Sequence, residues 1–144
     1  MSNPHYDDDL EQLDGVWDLD AILSSCTIII VVGAGVISEL LDRPMAELLR
    51  DAIDTQAVLR DGRRAIVVTD ACWLREERLQ EMATIAVGGA GPNAVTAEFH
   101  ALSNKGLSEQ CRAVLGGPMA ADTAESVRDF ISNGLRQFVD SAWR

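Results

Sequence analysis

The sequence predicts a single-domain, three-layer α/β fold, Rossmann-like or flavodoxin-like, with a mostly parallel sheet of four to five strands. Three observations carry that expectation. Four short apolar runs, Thr27–Val32, Ala65–Thr69, Thr84–Val87 and Cys111–Leu115, alternate with stretches whose apolar residues recur at helical spacing. The runs show little polar alternation, as strands covered on both faces should. Three of them end in glycine turns, Gly33-Ala34-Gly35, Gly88-Gly89-Ala90-Gly91 and Gly116-Gly117, which suit a tight passage from strand to helix.

Residues 1–17 hold Asp7, Asp8, Asp9, Glu11 and Asp14 and read as an acidic, partly flexible segment ahead of an α/β domain over 18–144. Leu10, Leu13, Val16 and Trp17 nevertheless recur at helical spacing there. TIIIVV at 27–32 is the strongest strand, β-branched at every position. A proline inside a helix costs about 3 kcal/mol, so Pro44 is expected to begin a helix after Val36–Leu41 rather than interrupt one. Met45, Leu48, Leu49, Ala52 and Ile53 would be its buried stripe. Gln56–Leu59 reads as a short strand or that helix's last turn, and Asp61-Gly62 as a turn.

Asp70, at the end of the second run, is expected to cap a helix over 72–82 bearing Trp73, Leu74, Leu79 and Met82. Pro92 suits the first turn of a helix carrying Val95, Phe99 and Leu102, which Lys105-Gly106 would end. Asp122 and Glu125 have capping-box spacing, with Asp122 as the cap. The helix they open carries Val127, Phe130, Ile131, Leu135, Phe138, Val139 and Ala142 on one face.

Composition narrows the function classes. Twelve basic and 23 acidic residues give a formal charge of -11, which repels a nucleic-acid backbone. No apolar run reaches the ~20 residues that span a bilayer, so no membrane partner is expected. The N-terminal residues lack the basic start and apolar centre of a secretory signal. Cys26, Cys72 and Cys111 are odd in number and widely spaced, the pattern of reduced thiols in a cytoplasmic protein.

The glycine turns are the candidate cofactor-binding positions. Gly33 and Gly35 match part of the dinucleotide fingerprint GxGxxG, with Ser38 where its last glycine belongs. No second strand ends in an acid about 20 residues on, as that fingerprint requires: Asp54 falls in a helical stretch and Asp70 lies too far along. The GAG turn followed by Ser38 also resembles the start of sirtuin-type NAD-binding domains. No GIPxFR-like stretch follows it and the chain is short for that catalytic domain, so none of that family's site residues is carried over. The first turn therefore reads as structural.

In the second turn Gly88, Gly89, Gly91 and Asn93 stand at a strand-to-helix junction, where backbone N–H groups and the helix dipole attract anions. The GK[ST] ending of a phosphate-binding P-loop is missing. The ligand class such a turn would take is a nucleotide or a phosphorylated small molecule. On this reading valine at Gly89 or Gly91 blocks the ligand's approach or strains the turn, whereas Asn93→Ala removes only a side-chain contact.

Catalytic residues are harder to assign. Asp70 with Cys72, and Glu98 near the glycine edge, are the remaining reactive candidates; capping, burial and surface exposure account for them equally well. His100 falls off the Val95–Phe99–Leu102 stripe and reads as a surface histidine. Two histidines and three scattered cysteines do not make a metal site. The sequence therefore favours a domain that works by protein–protein association, as a homo-oligomer or with a protein partner, without its own catalytic apparatus. Trp143 near the C-terminus suits such an interface. A ligand-binding protein or small enzyme using the glycine turns is the alternative.

Overall fold

A computed structural model of the protein describes residues 27–57, 63–104 and 111–143. Residues 1–26, with Cys26, the acidic segment and its helical pattern, lie outside the described residues, as do Val58 and Leu59, Asp61-Gly62 and Lys105-Gly106; Gln56 and Ala57 are the last turn of a helix. Four strands, β1 (Thr27–Val32), β2 (Arg64–Thr69), β3 (Ala83–Val87) and β4 (Arg112–Leu115), form one sheet in the order β2-β1-β3-β4. Every pairing is parallel, and Ile30 of β1 faces Val67 on one side and Ile85 on the other. These are the four runs that the sequence marks as strands.

β1 is buried at all six positions, which is why TIIIVV can dispense with polar alternation. Its side chains point alternately to two cores. Ile28, Ile30 and Val32 pack against α1 (Arg43–Ala57), α5 (Ala120–Asn133) and α6 (Leu135–Ala142) through Leu49, Ile53, Val127, Leu135 and Val139. Ile29 and Val31 meet Cys72, Trp73, Leu79, Val95 and Phe99, supplied from α2 (Asp70–Arg75), α3 (Glu77–Gln80) and α4 (Ala94–Asn104). Helices on both faces of a parallel sheet make the three layers. Trp73 and Phe99 meet edge to face at 5.5 Å, and the Arg112 guanidinium lies over both rings.

Several local expectations need correction. Thr69, not Asp70, caps α2: its Oγ1 accepts from the Cys72 N–H at 3.2 Å. The single helix expected over 72–82 is two short ones, parted at Glu76, whose backbone is extended. Gln80 folds back to donate to the carbonyls of Trp73 and Leu74, so the broken end of α2 is satisfied. Met119 is the cap residue of α5, and Asp122 is its third helical residue, accepting from the Met119 N–H at 3.0 Å. Gly134 divides the last helix into α5 and α6, with Phe130 and Phe138 in edge-to-face contact across the joint.

Two burial expectations also fail. Leu48 is 42% exposed, so the inner stripe of α1 is Ala46, Leu49 and Ile53, with Met45 and Ala52 at its margins. Trp143 is 3% exposed inside the α1/α5/α6 core and offers no interface.

Candidate functional site

The order β2-β1-β3-β4 sends the chain from β1 to one side and, after β2, back across β1 to the other. Open parallel sheets take ligands in the crevice where the direction reverses, here between the C-terminal ends of β1 and β3. The turns that begin at Gly33 and Gly88 meet there.

In this chain protein groups occupy the crevice. Asn93 is fully buried, and its Nδ2 donates to Val31 O at 3.0 Å and Val87 O at 2.9 Å, joining the ends of β1 and β3. Its Oδ1 accepts from the N–H groups of Val95 and Thr96, and its carbonyl from Ala97. Thr96 Oγ1 donates to Gly88 O at 2.9 Å. Asp70 Oδ2 accepts from the Ala94 N–H at 2.9 Å while Oδ1 accepts from Ala71. The first-turn N–H groups of α4 are thus all engaged, and the Asp70 carboxylate sits where an anionic ligand would.

The glycines divide into two groups. A β-carbon at Gly33 would collide with the Pro92 carbonyl and Ser38 Oγ, and one at Gly89 would lie 2.5 Å from Gly117 O. Gly88 has φ +120, in the left-handed region, and a β-carbon there would lie 2.8 Å from Asp42 Oδ2. A β-carbon at Gly116 would strike the Gly88 carbonyl. These four permit backbone-to-backbone packing of the three loops. Gly35 and Gly91 are exposed with nothing within 4 Å of such an atom, so a β-carbon at Gly91 meets no steric obstacle.

Outside this packed seam a groove of about 400 Å³ remains between the β3–α4 and β4–α5 loops. Gly89, Gly91, Pro92, Thr96, His100 and Gly117 are among its walls. Thr96 is committed to Gly88, which leaves the exposed His100 as the ionisable side chain on the groove. Neither Asp70 nor Cys72 is among its walls, Cys72 being buried against the sheet. Glu98 is exposed, and both Asp70 carboxylate oxygens accept backbone N–H groups, from Ala71 and Ala94. Among the described residues no cluster of His, Cys, Asp and Glu is arranged to hold a metal ion.

The feature that sequence reasoning missed follows β1. Ser38–Asp42 form a π-helical turn that leads straight into α1, so helical backbone continues through Pro44 instead of starting at it. Ser38 and Asp42 face inward, 1% and 4% exposed, against the glycines at the ends of β1 and β3. Burial raises the Asp42 carboxyl above its ordinary value, and the Ser38 hydroxyl one turn earlier lowers it in part. That hydroxyl reaches no partner with good hydrogen-bond geometry.

The apolar residues of the same turn face water: Val36 is 74% exposed, Ile37 64%, Leu40 65% and Leu41 49%. Leu48, two turns further on, extends them into a strip along the start of α1. The sequence signal was the pairing of apolar residues at 36, 37, 40 and 41 around polar 38 and 42. Amphipathic reasoning would have turned that pairing the wrong way round.

Among the described residues no helix is long and apolar enough to cross a membrane. Comparison of the chain with protein families, with curated proteins and with solved structures finds no match.

Proposed function

We propose that the chain works by docking to another protein through the strip Val36–Leu41 and Leu48, without a catalytic step of its own. One observation carries this reading. Large apolar side chains stand in water on a turn that buries its serine and aspartate. Taking a wholly exposed side chain of this size out of water is worth about 1.5–3 kcal/mol, of which these, 42% to 74% exposed, retain roughly half, and contiguous apolar surface marks interaction sites. Four or five together outweigh much of the freedom lost on association. A cytoplasmic setting fits the scattered cysteines.

A photo-crosslinking residue at position 40 tests the reading in the cell that makes the protein. It should give discrete protein adducts that disappear when Ile37→Glu is added. A chain that crosslinks to nothing under conditions where it is folded and abundant is not an association domain.

A second reading, a nucleotide- or phosphate-binding protein, is favoured only by the groove beside His100. The engaged N-terminus of α4 weighs against an anionic ligand there. Calorimetry against nucleotides and inorganic phosphate, with His100→Ala as control, tests it: binding tighter than about a millimolar dissociation constant, roughly 4 kcal/mol, would restore it.

A further inference from the structure

We infer that the partner is an unlike protein whose docking segment has an apolar face flanked by lysine or arginine, and not a second copy of this chain. The inference rests on the docking reading above and deepens it. The charged groups exposed on and beside the strip, Glu39, Glu47 and Asp51, are all acidic. Arg43 and Arg50 share the stretch but are half-buried, and Arg43 Nε pairs with Glu39 Oε2 at 2.9 Å, so Glu47 and Asp51 carry most of the rim's negative charge.

The strip therefore presents leucine and isoleucine rimmed by carboxylate. A second copy would set that rim against its own like charges, on a molecule carrying -11 overall. A basic rim relieves both terms, steers encounter from a distance and fixes the side on which the partner lies. The strip is a convex helical ridge, so a helix or groove wall with apolar residues at helical spacing is the shape that covers it.

The test uses the full-length chain and two synthetic amphipathic peptides of about 18 residues, one of leucine and lysine, the other of leucine and glutamate. Fluorescence anisotropy should show the lysine peptide binding and the glutamate peptide not binding. Leu40→Ser with Leu41→Ser, which leaves every charge in place, should weaken the lysine peptide by at least about tenfold. Glu47→Gln with Asp51→Asn, which leaves the apolar surface and the Glu39–Arg43 pair in place, should weaken it several-fold and flatten its dependence on salt.

Equal binding of the lysine peptide to the wild type and the double serine variant overturns the inference, because the attraction then lies elsewhere on the acidic surface. So does light scattering that gives twice 15.6 kDa for the wild type and 15.6 kDa for Leu40→Glu, which would make a second copy the occupant. Either result leaves the docking reading to its own crosslinking test. An adduct of two copies there would sink this inference alone; no adduct at all would sink both.

Discussion

At the scale of single residues, Asn93 shows why a polar side chain beside a glycine turn is ambiguous from sequence. Its position was legible; its commitment to four backbone groups was not, because one of them, the Val31 carbonyl, lies on a strand 62 residues away in the chain. Asn93→Ala strands buried backbone donors and acceptors on two strands and a helix. It should cost about 3 kcal/mol or more in urea unfolding, far beyond the loss of one contact. Gly91→Ala, with open space around it, should unfold like the wild type, while Gly89→Ala should not. Asp42 gives a pH signature. Its folded carboxyl is raised, so the folded state holds the proton more tightly than the unfolded state. Stability from this group is fully present below the unfolded carboxylate value and falls as pH rises through the raised one. Asp42→Asn should flatten that fall, which unfolding curves at pH 3 to 7 would reveal.

Elements were legible in kind and less so in orientation. β-Branched runs identify β1, β2 and β3, since few other structures accommodate them, whereas β4, with Val114 alone of that kind, shows as a short apolar run ahead of a glycine turn. Helical periodicity marks the stretches that became α1 and α4–α6, but periodicity says only that two faces differ. Which face turns inward over residues 36–42 is decided by Gly33 and Gly88, against which only small or short polar groups fit. The same ambiguity misplaced Leu48. Substitution can separate the two faces. Leu40→Glu should change stability by less than about 0.5 kcal/mol, as exposed positions do. Leu49→Ala, on the buried side of α1, should cost about 2–5 kcal/mol.

For the molecule as a whole, the alternation of runs and stripes made the layered architecture and the parallel sheet legible. Strand order was not, because the four runs are alike in composition and nothing local ranks them. β1 lies inside the sheet, hydrogen-bonded to β2 and β3 along most of its length, while β2 and β4 are the outer ones among the described strands. Hydrogen exchange should accordingly find the slowest amides in β1 and faster ones in β4.

That central place has a consequence for biosynthesis. Among the described strands β1 leaves the ribosome first, yet its second neighbour is complete only when Val87 has been made. Until then TIIIVV is an uncharged, β-branched segment with an unpaired edge, the kind that joins other chains into aggregates. A nascent chain stalled before Ala83 should therefore be insoluble or chaperone-bound, whereas one that clears Leu115 should not. The strand that holds the finished sheet together is the one the unfinished chain most needs to have shielded.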